Sequence, residues 1–155
     1  MELADILAEE SVIACSGIVS KDDLLSLMCE RAAQMTGEDV AAVHEAIVTR
    51  EQLGSTGLGN GIAIPHGKMI GLKGVTAVFA RLDQPIEFGA LDDQPVDLVM
   101  LLLAPVGAGA EHLKALARVA RVLRTDSVTQ QLRATDDPGT LHALIVQPLA
   151  TSQAA

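Results

Sequence analysis

The chain has no tryptophan and no tyrosine, and its only phenylalanines are Phe79 and Phe88. An aromatic share of 1% leaves no rings on which unpaired bases could stack, which argues against nucleic acid as a ligand. Cations are scarce as well: 11 Lys and Arg stand against 20 Asp and Glu, a net charge of −9. That balance repels phosphate backbones and suits a basic protein partner. Cysteine is limited to Cys15 and Cys29, at no metal or redox spacing; both are expected as reduced, half-buried small residues. The start, Met1-Glu2-Leu3-Ala4-Asp5, carries acids where a secretory signal needs cations. No apolar run approaches the ~20 residues of a membrane span. A soluble, cytoplasmic protein with no membrane insertion is the expectation. What the chain does have is aliphatic bulk, 49% hydrophobic residues over 155 positions, enough for one domain with a full core.

Helix and strand signals alternate along the chain. Ser20-Lys21-Asp22-Asp23 is a helix start, followed at helical spacing by Leu24, Leu27, Met28 and Arg31 and ended by Gly37. Thr36 and Asp39 repeat the start signal for a second helix, with Val40, Val43, Ile47 and Val48 as its apolar face and Gly54 as its stop. Strands are expected over Gly61 to Ile64, Val75 to Leu82 and, fully buried, Val96 to Leu103; Gln84-Pro85 reads as a turn. A helix from about Glu111 to Arg124 has the stripe Leu113, Leu116, Ala117, Ala120 and Leu123, with Lys114, Arg118 and Arg121 on a solvated face. A shorter helix spans Ser127 to Arg133, and Asp137-Pro138 opens a last one that buries Leu141, Leu144 and Ile145. The alternation predicts a three-layer α/β sandwich, a central mixed β-sheet with helices on both faces.

The chemistry concentrates between Gly54 and Gly67. Glycines at 54, 57, 59 and 61 precede Pro65-His66-Gly67, and amides in such a run can form an anion-binding nest. Ser55, Thr56 and Gly57 are the candidate phosphate-binding loop, against ordinary turn chemistry after a helix stop. Pro65 biases Ile64 toward extended backbone, which puts His66 at a strand end, presented rather than packed. A neutral imidazole is a competent nucleophile near pH 7. One ring nitrogen must be held so that the other faces the donor, and a backbone carbonyl near Gly67 is the expected holder. His112, in the first turn of its helix, is either a donor to a phosphate oxygen or an exposed helix-start residue. Arg50, in the last turn before the glycine run, either reaches a phosphate or simply complements the helix C-terminus. His44 and His142 read as structural or surface residues. Asn60 stands where a Walker loop needs Gly-Lys, a dinucleotide fingerprint would have the helix after the glycines, and the histidines lack zinc spacing.

Arg50-Glu51-Gln52-Leu53, followed by the run to His66-Gly67-Lys68, resembles the signature of the enzyme IIA proteins of the bacterial phosphotransferase system. The mannitol/fructose class, and within it the nitrogen-regulatory branch, is the nearest likeness. Pro85-Ile86-Glu87-Phe88, Gln94-Pro95-Val96-Asp97-Leu98 and Glu111-His112-Leu113 resemble further segments of that family. The resemblance implies one enzyme IIA type-2 domain over residues 1–150; residues 151–155 read separately as a flexible tail. It implies a phosphotransferase: an HPr/NPr-type carrier passes a phosphoryl group to Nε2 of His66, with His112 and Arg50 lining the phosphate. No metal or organic cofactor is implied. Regulatory targets such as kinases or transporters would read the phosphorylation state; a stand-alone sugar-branch protein passing phosphate to a IIB component is the alternative. Ile64, Met69 and Ile70 are candidates for the docking surface.

Overall fold

The computed structural model describes residues 1–147, so the expected tail over 151–155 lies outside the described residues. The strands are β1 (Val12–Cys15), β2 (Gly57–Gly59), β3 (Ile62–Ala63), β4 (His66–Met69), β5 (Thr76–Ile86) and β6 (Val96–Pro105). The helices are α1 (Leu3–Ile6), α2 (Lys21–Thr36), α3 (Val40–Gln52), α4 (Gly109–Leu123), α5 (Asp126–Arg133) and α6 (Pro138–Val146). The sheet runs β1-β5-β6-β3-β2 and is mixed: β5 is antiparallel to β6, whereas β3 and β4 are both parallel to it. β3 lies along the first half of β6 and β4 along the second, so the two act as one strand interrupted at Ile64-Pro65.

The central strand β6 alternates between two cores, as its period of two requires. Val99, Leu101 and Leu103 face α2 and α3 with Leu24, Met28, Val43 and Ile47. Leu98, Met100 and Leu102 face the other helices with Phe79, Val119, Leu123 and Leu141. Burial on both faces explains the unbroken apolar run. The three-layer expectation therefore holds.

Several local expectations shift. Cys15 and Cys29 are fully buried rather than half-buried, and burial pushes the Cys29 thiol up to about 11. Asp39 itself caps α3 by accepting from the Ala42 amide, while Thr36 closes α2 by donating to the Ala32 carbonyl. β5 runs on through Gln84-Pro85, because its ladder with β6 is broken between Arg81 and Ile86 and asks for no N–H there. The buried face of α4 is His112, Ala115, Val119, Val122 and Leu123, about one residue out of phase with the stripe read from the leucines. Leu113 is 69% exposed. The last helix follows its reading at the cap and for two of three core positions: Asp137 accepts from the Thr140 amide, Pro138 is the first residue, Leu141 and Ile145 are buried, and Leu144 is only partly buried.

One glycine decides how closely α3 sits on the sheet. A Cβ at Gly67 would lie 2.7 Å from the Ala46 carbonyl oxygen and 2.9 Å from its carbon, both backbone atoms of α3. Only a residue without a Cβ lets the helix rest there. Gly67→Ala is expected to lower stability by about 1–3 kcal/mol, since the helix must move to relieve the overlap. A denaturation midpoint followed by far-ultraviolet circular dichroism checks this, and an unchanged midpoint would remove the steric argument.

Candidate functional site

Register builds the site. His66 opens β4 opposite Leu102, so its side chain falls on the α4 side of the sheet, while Gly67 falls on the α3 side. α4 begins beside it and buries His112, which is 5% exposed. The two imidazole rings stand edge to face, with centroids 5.4 Å apart. They line one cavity of about 950 Å³ with Arg50, Leu53, Lys68, Ile70 and Leu113.

The hydrogen bonds determine which atoms are available. His66 Nδ1 lies 2.8 Å from the Ile64 carbonyl oxygen. A carbonyl only accepts, so Nδ1 carries the proton and Nε2 keeps its lone pair. The holder is a backbone carbonyl near Gly67, as expected, and it belongs to Ile64, two residues before the ring. His112 Nε2 is buried with no hydrogen-bond partner among the described residues. A buried polar atom left unpaired is costly and awaits an oxygen or another group from outside. Burial, together with the charges of His66 and Lys68, holds the His112 pKa below the ordinary imidazole value. Arg50 Nη1 donates to the Gly54 carbonyl at 2.9 Å, which parks the guanidinium on the cavity rim with its other N–H groups uncommitted among the described residues.

The glycine run is organised differently from the expected anion nest. It folds as the β2–β3 hairpin, and several of its donors are engaged within the protein. The Thr56 amide and hydroxyl both donate to the Glu51 carboxylate, at 2.9 and 2.7 Å. The Ser55 hydroxyl donates to the Phe88 carbonyl and accepts from the Gly57 amide. Gly57 is packed so that a Cβ would meet Ala90 at 2.7 Å. Ser55, Thr56 and Gly57 are not among the residues that line the cavity shared by His66 and His112. Glu51, which organises them, was not singled out by the sequence; its place in the Arg50-Glu51 pair was the available signal. His142 is structural, with Nε2 2.9 Å from the Leu7 carbonyl oxygen, and His44 stands apart from the cavity. Of the docking candidates, Ile64 and Met69 are core residues at 4% and 9% exposure, and only Ile70, at 85%, faces outward.

Among the described residues no group of three or more His, Cys, Asp or Glu side chains could hold a metal ion, and no helix is long and apolar enough to cross a membrane. What the arrangement offers is a nucleophilic nitrogen with its tautomer fixed, a buried imidazole beside it, and two cations at the rim. Attack of Nε2 on phosphorus would leave the ring with Nδ1–H and Nε2–P, and the Ile64 carbonyl is placed to stabilise the positive charge that develops. The leaving group would depart with the electrons of its bond to phosphorus.

Residues 5–147 match the family described as the phosphoenolpyruvate-dependent sugar phosphotransferase system, EIIA 2. The chain is 46% identical over 152 residues to a nitrogen regulatory protein of Bradyrhizobium diazoefficiens, covering 98% of this chain and 99% of that one. The crystal structure of nitrogen regulatory protein IIA-Ntr from Neisseria meningitidis has a TM-score of 0.86 at 33% identity, covering 92% of this chain and 98% of that one. IIA mannitol from Escherichia coli shares the fold, with a TM-score of 0.74 at 22% identity and coverage of 89% and 97%. The chain therefore belongs to the EIIA 2 family of the phosphoenolpyruvate-dependent sugar phosphotransferase system, and it is a phosphotransferase of the phosphocarrier kind, loaded on histidine by HPr-type donors.

Proposed function

We propose that Nε2 of His66 is the atom that receives the phosphoryl group, that His112 and Arg50 bind its oxygens, and that the chain serves the nitrogen-regulatory branch in the cytoplasm. The observation that carries the site is the hydrogen bond from His66 Nδ1 to the Ile64 carbonyl, which leaves Nε2 free in the cavity shared with His112. Identity of 46% across nearly the full length of a nitrogen regulatory protein supports the branch. An NPr-type carrier is then the donor, and kinases or transporters that distinguish the loaded from the unloaded cavity are the readers.

The rim suits a protein donor. Leu53, Ile70 and Leu113 are 81%, 85% and 69% exposed around the same cavity, with Glu38 and Glu45 beside them. Apolar side chains left in water around a reactive group are what a docking partner covers, and the acids favour a basic one. Ile70→Ser is expected to raise KM for the carrier about tenfold with kcat little changed, because one buried aliphatic contact of 1–2 kcal/mol is lost on docking. Steady-state transfer at varied carrier concentration measures both constants.

The direct test is intact-mass spectrometry at neutral pH, after mixing the protein with phosphoenolpyruvate, enzyme I and an HPr- or NPr-type carrier. One acid-labile phosphoryl adduct supports the reading. Rapid onward transfer to a sugar-specific IIB component would place the chain in the sugar branch instead.

A further inference from the structure

We propose that Glu51 is a positioning residue, whose carboxylate fixes the turn after α3 so that Arg50 is held at the mouth of the His66 cavity. The proposal rests on the reading of His66 as acceptor and Arg50 as phosphate contact.

Glu51 follows Arg50 at the end of α3, and its side chain is 6% exposed. Oε2 accepts from the Thr56 amide at 2.9 Å and from the Lys21 ammonium at 2.9 Å, and Oε1 accepts from the Thr56 hydroxyl at 2.7 Å. A carboxylate this enclosed persists as an anion only when both oxygens are engaged. Burial pushes its pKa up, yet the bonds from Lys21 and Thr56 outweigh that and hold it below the ordinary glutamate value. Lys21 also donates to the Phe88 carbonyl at 3.0 Å and stands 4.3 Å from the centre of the Phe88 ring. The start of α2, the end of α3, the turn and the segment after β5 thus converge on one carboxylate.

Arg50 depends on that turn. Its Nη1 is anchored on the carbonyl of Gly54, which lies between Glu51 and Thr56 in the chain. With Thr56 pinned to Glu51 by two bonds, the Gly54 carbonyl has a fixed place and Arg50 a fixed anchor. One N–H of the planar guanidinium serves the carbonyl, and the rest of the fork is available to phosphoryl oxygens. Lys21, Glu51 and Thr56 are all absent from the cavity lining. Glu51 therefore touches no reacting group itself: it reaches Arg50 through the Gly54 carbonyl, and the Thr56 carbonyl, which accepts from the Ile64 amide at 3.1 Å, also ties it to the segment that holds His66.

Rapid-quench phosphoryl transfer from a phosphorylated HPr- or NPr-type carrier tests the chain of dependence. Glu51→Gln removes the charge at constant size, and Thr56→Val removes the hydroxyl bond at constant shape. Each is expected to lower the transfer rate about tenfold, the scale of losing a hydrogen bond to a charged group. The double variant Glu51→Gln/Arg50→Ala should be no slower than Arg50→Ala, because both act at one point. Thr56→Ser should keep the parent rate. Deficits that multiply in the double variant would overturn the proposal, because Glu51 would then act apart from Arg50, through the Ile64 segment or as a general stabiliser. Parent rates in Glu51→Gln and Thr56→Val, or in Arg50→Ala, would overturn it too. If Glu51→Gln does not fold, Thr56→Val alone and with Arg50→Ala carries the same comparison. Failure of the unaltered protein to take up phosphate counts instead against the His66 reading, so the two fail separately.

Discussion

His66→Ala is expected to take up no phosphoryl group from a phosphorylated HPr-type carrier, while its melting midpoint stays within about 1 kcal/mol of the parent stability. The loss is complete because no other nitrogen combines a fixed tautomer with access. His112 Nε2 is buried, His142 Nε2 is taken by the Leu7 carbonyl, and His44 lies away from the cavity. The fold is spared because the ring is only half-buried and makes one hydrogen bond, to Ile64. Intact mass at neutral pH, followed by brief acid treatment, reads the result: the parent adduct disappears in acid, since protonating the imidazole makes it a good leaving group. An adduct that persisted in His66→Ala would move the acceptor elsewhere and dismantle the site.

The framework of this protein was legible where one physical effect dominated. Ser20 and Asp137 are helix caps by their own chemistry, and the run Val96 to Leu103 has no place other than a strand buried on both faces. The sequence was less informative where two effects compete. Pro85 signals a turn, but a bulge in the ladder tolerates it. Leucines weigh more than alanine and valine in a periodicity, so α4 was read about one residue out of phase; Leu113 is apolar for a reason outside the core. The β4 strand has no local signal, because His66-Gly67-Lys68-Met69 has almost no β-forming residue and its pairing with β6 is a tertiary effect. In the site, His66 and its neighbourhood stood out from glycine and proline alone. The fate of the Ser55 and Thr56 hydroxyls did not, because it depends on Glu51 folding back across the turn, and a partner five residues away is invisible to motif reading.

His112→Ala is expected to keep the fold and slow phosphoryl transfer about a hundredfold, the usual scale for removing one donor to a developing anion. His112→Gln, which places an amide N–H near the position of Nε2, should recover part of that rate. The geometry gives the same residue a second, independent signature. In the unloaded protein, burial and the charges of His66 and Lys68 keep His112 neutral over a range where a free imidazole would be protonated. The unfolded chain therefore binds the proton more tightly, and stability falls as pH drops from about 6.5, the free value, toward the lower folded one. Below the folded value both states are protonated and the loss stops. His112→Gln should remove that slope. Phosphorylation of His66 reverses the local charge: an anionic phosphoryl group is added beside His112, and an opposite charge favours the protonated form. The His112 titration, followed by NMR of its ring protons, should move upward when the protein is loaded, and loading should draw a proton from solution. A midpoint that ignores phosphorylation, together with an unchanged transfer rate in His112→Ala, would leave the buried imidazole without a part in the reaction.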